Sequence, residues 1–174
     1  MTTCALVGAT YFNEQDFMAR YNEGFFDFII AVDGGFAPLD RLGVAPDMAI
    51  GDFDSLGYVP RAKRVSRHPV NKDASDMELA LQRAANYRHT DIYVYGGIGG
   101  RLDHTLATLQ LFAAYSERGF YVTGIAEGFA IRCVTGPDVF TLPDNVEKGT
   151  VSVFAANDRA EGVIERGLEY SLDD

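Results

Sequence analysis

The sequence predicts an α/β protein, with a mostly parallel sheet and flanking helices followed by a small antiparallel β domain. Over the first two-thirds of the chain, apolar runs of strand length alternate with amphipathic stretches of helix length, the pattern of βαβ units. Several of these runs end in Gly or Asp, residues that turn the chain sharply out of a strand. Beyond about residue 120 no helical pattern separates the short β-like segments, and Gly, Pro, Asn and Asp punctuate them.

The elements follow in order. Cys4–Gly8 reads as a strand. Asn13–Tyr21 reads as a helix capped by Asn13, with Glu14 and Asp16 near its positive end. Phe25–Val32 (FFDFIIAV) is apolar enough for a strand buried on both faces, and Asp33-Gly34-Gly35 ends it. Phe36–Leu42 is a short helix stopped by Gly43. Asp47–Ile50 is a short strand that runs into Gly51-Asp52-Phe53-Asp54-Ser55. Val65–Val70 is a further strand, and Pro69 argues against a central position for it.

Ser75–Tyr87 is the clearest helix, with Ser75 and Glu78 at capping-box spacing. Asp91–Tyr95 is a strand, broken by Gly96-Gly97-Ile98-Gly99-Gly100. Leu102–Arg118 is a long helix whose Leu102, Leu106, Leu109, Phe112 and Ala113 share a face, and Gly119 stops it. The β candidates Tyr121–Ala126, Ile131–Val134, Val139–Leu142, Val151–Ala155 and Gly162–Tyr170 complete the chain. The domain boundary falls between residues 126 and 137, and placing it at 130 gives an α/β domain over 1–130 and a β domain over 131–174.

Composition excludes several classes of function. The chain has 174 residues, 47% of them apolar, which suits one sizeable core rather than a disordered segment. Its net charge of −10 leaves no basic face for nucleic acid. The short run Arg61, Lys63, Arg64 and Arg67 reads as a solvated surface. No apolar run is long enough to span a membrane, and no signal peptide is visible. Cys4 and Cys133 both sit in apolar segments, which points away from a disulfide framework or a zinc site and toward a reducing cytoplasm.

The polar residues of interest gather at predicted strand ends, where open parallel sheets bind ligands. Asp52 and Asp54 are two apart, so in extended backbone both point to one side. Such a pair repels unless a cation sits between, and Mg²⁺ suits carboxylates and phosphate oxygens. A solvated Asx-rich turn has the same pattern, but Asp33 and Asp76 on neighbouring loops add acids to the same edge.

Gly96, Gly97, Gly99 and Gly100 would let backbone N–H groups approach a phosphate, with the next helix adding its N-terminus. A tight flexible turn is the alternative. Arg101 at that helix start needs a phosphate or carboxylate to offset the dipole. His104 is either a ligand contact or a helix-start donor, and Lys72 is either a phosphate partner or an exposed lysine. No Walker A sequence, no G-x-G-x-x-G on the first strand and no G-x-S-x-G elbow is present. This favours direct transfer between bound substrates over a covalent intermediate.

Taken in order, Asp33-Gly34-Gly35, Gly51-Asp52-Phe53-Asp54-Ser55, Lys72-Asp73-Ala74-Ser75-Asp76-Met77-Glu78-Leu79 and Gly96-Gly97-Ile98-Gly99-Gly100-Arg101-Leu102-Asp103-His104-Thr105-Leu106 resemble the thiamine pyrophosphokinase family. Gly167-Leu168-Glu169-Tyr170 resembles a strand of that family's β domain. The resemblance implies a Rossmann-like nucleotide-binding domain, a β-sandwich-like thiamine-side domain and a homodimer. It implies transfer of a pyrophosphoryl group from ATP to the hydroxyl of thiamine, dependent on Mg²⁺, giving thiamine diphosphate and AMP.

Carried over residue by residue, Asp33, Asp52, Asp54 and Asp76 match acidic positions around Mg²⁺. Asp52, Asp54 and Asp76 are the catalytic candidates, and Asp52 or Asp54 would draw the proton from the attacking hydroxyl. Asp33, Gly34, Gly35, Lys72, Asp73, Ser75, Gly97, Gly99, Gly100, Arg101, Asp103 and His104 are the candidates for nucleotide and substrate binding. Two departures stand out. Ser75 replaces the family's usual Thr but keeps the hydroxyl, and the sequence stops at Asp174, soon after Gly167–Tyr170, where the family usually continues through further strands. Either the predicted β domain is a shortened one, or the thiamine side of the site is built differently. A metal-dependent nucleotide phosphohydrolase and a non-catalytic nucleotide- or thiamine-binding module are the competing functions.

Overall fold

The computed structural model describes residues 2–54, 56–68, 74–142 and 148–173. The chain divides into two compact units, Met1–Thr135 and Gly136–Asp174. In the first, strands β1 (Thr3–Val7), β2 (Phe28–Val32), β3 (Met48–Gly51), β4 (Arg64–Arg67), β5 (Asp91–Tyr95), β6 (Tyr121–Ile125) and β7 (Ala130–Arg132) form one sheet in the order β4-β3-β2-β1-β5-β6-β7. Every pairing is parallel except β6 with β7. The order reverses direction at β1, so the chain winds outward first through β2 and β3, then through β5 and β6. Such a reversal opens a crevice beyond the carboxyl ends of the two central strands.

Helices cover both faces. Alternate residues of β1 show how, since side chains along a strand point to opposite faces. Cys4 and Leu6 join Ile30, Ile50, Ile92 and Val94 in a core with Leu81 of helix α3 (Asp76–Asn86) and Phe112 of helix α4 (Leu102–Glu117). Ala5 and Val7 join Ala31, Ala49 and Tyr95 in the opposite core, with Phe17 of helix α1 (Glu14–Asn22) and Phe36 and Leu39 of helix α2 (Phe36–Arg41). Full burial of a side chain such as Phe17 or Phe112 stabilises the fold by about 1.5–3 kcal/mol. The double coverage explains why the strands read as apolar runs.

The predicted caps are present. Asn13 Oδ1 accepts from the Asp16 N–H at 3.1 Å, and Ser75 Oγ accepts from the Glu78 N–H at 3.1 Å. β4 is an edge strand with charged, exposed residues, which suits a position at the rim. Pro69 and Val70, the end of the strand predicted there, lie outside the described residues.

Three parts of the structure differ from the sequence reading. β6 does not open a separate antiparallel domain; it pairs in parallel with β5, and β7 folds back on β6 within the same sheet. The units divide at 135/136, inside the 126–137 range and five residues beyond the boundary placed at 130. On α4, Leu102 and Leu106 are exposed, and Thr108, Phe112, Tyr115 and Ser116 are the buried positions. The sheet meets α4 through its later turns, so the expected stripe faces inward only at its end. In the second unit, the described residues form an isolated antiparallel bridge, Glu165 with Leu172, and none of the strands predicted after residue 136. Val139 and Phe154 are 85% and 84% exposed. A half-apolar segment becomes a strand only with a hydrogen-bonding neighbour and a layer to cover it.

Two predictions test the frame. Removing the cap in Ser75→Ala should cost about 1 kcal/mol in urea unfolding. His89 is buried against Phe28, and burial lowers its pKa against the opposing pull of Asp27 and Asp47. As pH falls below about 6.5, the ordinary value, the unfolded chain takes up this proton before the folded one does. The resulting stability is full above that pH and is lost as pH falls toward the folded value. The melting temperature should drop between pH 7.5 and 5.5, and less so in His89→Gln. Asp91, whose pKa burial raises, works in the opposite sense in both proteins, so the comparison isolates His89.

Candidate functional site

The carboxyl edge of the sheet collects the predicted residues from three directions. Asp33 follows β2 directly, in the 3-10 turn Asp33–Gly35. Asp52 and Asp54 follow β3. Carboxylate oxygens of Asp33, Asp52 and Asp54 all lie within 4.8 Å of one another. Asp33 and Asp52 are half-buried and Asp54 is exposed.

Local backbone builds this convergence. A Cβ on Gly51 would lie 2.9 Å from Asp33 Cα and 3.1 Å from its Cβ, so only glycine lets the end of β3 pass so close to Asp33. Phe53 then takes a left-handed conformation, φ +61°, unusual for a bulky residue and costing about 1–3 kcal/mol. Its ring is 3% exposed, in the core with Phe36 and Leu39, and burial of that size offsets the strain. The turn at Phe53 brings the Asp54 N–H to Asp52 Oδ1 at 3.0 Å. The Asx turn that the sequence allowed as an alternative is therefore present, and it is the device that holds Asp52 and Asp54 beside each other.

The three acids fit a hard divalent cation. Oxygens on one Mg²⁺ lie no more than about 4.2 Å apart, twice the metal–oxygen distance, so small side-chain rotations would bring this set into range. Three mutually close negative charges are costly in themselves and favour such an ion. Asp76, the first residue of α3, lies outside this cluster. Ser75 caps the same helix. Lys72 and Asp73 lie outside the described residues.

The Gly96–Gly100 segment follows β5, next to β1 across the crevice. Gly8 and Gly96 cross so closely that a Cβ on either would lie 2.4 Å from the other's carbonyl oxygen. The Gly8 N–H donates to Tyr95 O at 2.7 Å and the Thr10 N–H to Gly96 O at 3.1 Å. Thr10 Oγ1 donates to Ile98 O. Thr105 Oγ1 accepts from the Gly99 N–H at 3.0 Å and donates to Arg101 O at 3.1 Å, tying the loop to the first turn of α4. Gly97 is half-buried beside Val94 and Met77, and Gly100 is exposed.

Arg101 and Asp103 face each other at the exposed start of α4, with Arg101 Nε donating to Asp103 Oδ1 at 3.1 Å. The carboxylate that offsets the cation at this helix start is thus the chain's own. That hydrogen bond, with a second from the His104 backbone N–H, holds the Asp103 pKa down to about 2. His104 is exposed. Gly34 and Gly35 continue the turn from Asp33, and Gly35 is buried beneath the end of β1.

Sequence reasoning passed over two segments of this edge. One is Gly8–Tyr11 after β1, at the reversal of strand order. The other is the β6–β7 turn, closed by the Ala126 N–H donating to Phe129 O. A pocket of about 280 Å³ lies between them, lined by Tyr11, Ile98, Gly99, Ala126, Glu127 and Phe129. The glycine after the first apolar run was a legible signal for the first segment; the second has none, because it depends on β7 folding back.

The fold and this edge define a doubly wound α/β protein with an acidic cluster and a glycine-rich loop at the carboxyl ends of its strands. The model of the thiamin pyrophosphokinase catalytic domain matches residues 24–123, and the chain belongs to that family. A thiamine pyrophosphokinase of Bacillus subtilis is 36% identical over 88 residues, covering 47% of this chain and 41% of that protein. A solved thiamine pyrophosphokinase structure from the same organism is 28% identical, with a TM-score of 0.59 over 71% of this chain and 60% of the other. That from Geobacillus thermodenitrificans is 27% identical, with a TM-score of 0.58 over 71% and 59%. The chain thus spans less than two thirds of the length of these relatives.

If the acidic cluster holds a divalent ion, Mn²⁺ or Mg²⁺ should raise the melting temperature of the wild type. Asp33→Asn and Asp54→Asn should each weaken that response at least tenfold in midpoint concentration. Both variants should keep the wild-type far-ultraviolet circular dichroism.

Proposed function

We propose that this chain transfers the pyrophosphoryl group of ATP to the hydroxyl of thiamine, as a Rossmann-like nucleotide-binding domain with Mg²⁺ on its acidic cluster. The observation that carries this is the convergence of Asp33, Asp52 and Asp54 on the same sheet edge as the Gly96–Gly100 loop, in a member of the thiamin pyrophosphokinase family. Support for a thiamine-side role of residues 136–174 and for a homodimer comes from the family. The exposed Leu102 and Leu106 on α4 offer apolar surface for the latter. Two free thiols, Cys4 and Cys133, suit a reducing cytoplasm. No helix among the described residues is long and apolar enough to cross a membrane.

Positioning and charge neutralisation dominate this kind of transfer. The thiamine hydroxyl oxygen bonds to the β-phosphorus of ATP while the bond from that phosphorus to the α,β-bridging oxygen breaks, and AMP departs with that oxygen. Asp54 is the better base of the two candidates. It is exposed, and its carboxylate has no partner among the described residues, whereas Asp52 Oδ1 is engaged in the turn. Asp33 and Asp52 would hold the metal with Asp54, and Asp76 at the start of α3 adds a further acid. A bound Mg²⁺ would neutralise phosphate charge. Free N–H groups of the glycine loop would take phosphate oxygens. Arg101, released from Asp103, supplies a cation on the same segment.

Purified protein given MgATP and thiamine should form thiamine diphosphate and AMP in equal amounts. Asp54→Asn should reduce the rate by two or more orders of magnitude. Phosphate release without thiamine would identify a hydrolase instead, and AMP binding with no turnover would identify a binding module.

A further inference from the structure

The acids of the cluster stand on two different supports. Asp33 is held by backbone. It takes φ +48°, Gly51 passes close to its Cα, and a Cβ on Gly35 would lie 1.8 Å from Val7 O. The turn after β2 is therefore wedged against the ends of β1 and β3. Asp52 and Asp54 instead flank one buried ring. Phe53 is 3% exposed and left-handed at φ +61°. Its ring enters the core that holds Phe36 and Leu39, and Phe36 opens α2 directly after the Asp33–Gly35 turn. Phe53 O accepts from the Leu56 N–H at 3.3 Å, and Leu56 packs on the same core. The two loops that carry the acids thus share one apolar floor.

A left-handed phenylalanine is a costly way to build a turn, since Gly or Asn takes that conformation readily. The ring supplies what glycine cannot, an anchor for the turn. Carboxylates on separate loops make a tight ion site only when their spacing is held by packing beneath them. Spacing also separates cations. Opposite oxygens lie about 4.2 Å apart on Mg²⁺ and about 4.6–5.2 Å apart on Ca²⁺, and Mg²⁺ demands near-ideal octahedral geometry where Ca²⁺ accepts irregular shells. Oxygens of Asp33, Asp52 and Asp54 lie within 4.8 Å of one another. A loosened turn would carry the set out of the range of the smaller ion and leave it within that of the larger.

We propose that Phe53 is a positioning residue for the cation: its buried ring fixes the Asp52–Asp54 pair against Asp33 and so sets a preference for Mg²⁺ over Ca²⁺. The side chain has no ligand atom of its own and acts through the carboxylates on either side. This inference rests on the proposed cation site, and its test reads metal binding rather than turnover.

Mg²⁺ and Ca²⁺ are each titrated into the full chain by calorimetry, for the wild type, Phe53→Leu, Phe53→Ala, Phe53→Gly, Val44→Ala and Asp54→Asn, with far-ultraviolet circular dichroism to confirm folding. Phe53→Ala should weaken Mg²⁺ by about tenfold or more, the scale of losses behind a metal ligand, and Ca²⁺ by less than about threefold. Phe53→Leu, which keeps an apolar anchor and folds most readily, should retain most of the Mg²⁺ affinity. Phe53→Gly relieves the backbone but loses the ring, so it should behave as Phe53→Ala does. Val44→Ala thins the same core; it should lower the melting temperature and leave both affinities in place. Wild-type Mg²⁺ affinity in Phe53→Ala or Phe53→Gly, or equal losses for the two ions, would overturn the inference. If Asp54→Asn still weakened Mg²⁺ in that case, the cation site itself would stand. No Mg²⁺ binding by the wild type would defeat the cation site and this inference together. Mg²⁺ held through Phe53 by a chain that makes no thiamine diphosphate would uphold the inference and defeat the transfer reaction.

Discussion

At the carboxyl edge of the sheet, backbone passes backbone at distances no side chain would allow. Gly8 and Gly96 would each set a Cβ 2.4 Å from the other's carbonyl oxygen, and Gly51 would set one 2.9 Å from Asp33 Cα. These contacts close the loops after β1, β2, β3 and β5 onto one rim. Without them the acids of one loop would not reach those of the next, and the glycine loop would not lie against the segment that carries Thr10 and Tyr11. The sheet sets strand order; the glycines let its ends touch.

The rim divides its chemistry. On the β2 and β3 side, Asp33, Asp52 and Asp54 concentrate negative charge within 4.8 Å. On the β5 and β6 side, the lining is apolar and aromatic, with backbone polar groups and a single carboxylate, Glu127. The strain of Phe53 at φ +61° belongs to the acidic side and is held by burial of the same ring, so the turn that pairs Asp52 with Asp54 is anchored in the core.

Much of the first unit was legible because local rules and the global fold agree there. FIIAV and DIYVY are continuous apolar runs because helices cover both faces of the sheet, and Asn13 and Ser75 cap helices where the spacing of acids requires it. Asp52 and Asp54 were legible as a pair from their spacing. Their partner Asp33 was legible only as another acid at a strand end, since nothing local states which strands are neighbours. Leu102 and Leu106 misled because a helical stripe shows which residues are apolar, not which turns of the helix the sheet reaches.

The sequence by itself determined the strands and helices of the first unit, their caps, and the placing of Asp and Gly at strand ends, because each depends on residues close along the chain. Tertiary structure alone decided that β6 runs parallel to β5, that β7 returns along it, and that Glu127 and Phe129 thereby face Tyr11 across a pocket. It also decided that, among the described residues, the β-like segments after residue 136 form the isolated bridge of Glu165 with Leu172 and no strand. Pairing and burial are contacts between segments distant in sequence, and an alternating pattern says nothing about whether a neighbour and a covering layer are there to receive it.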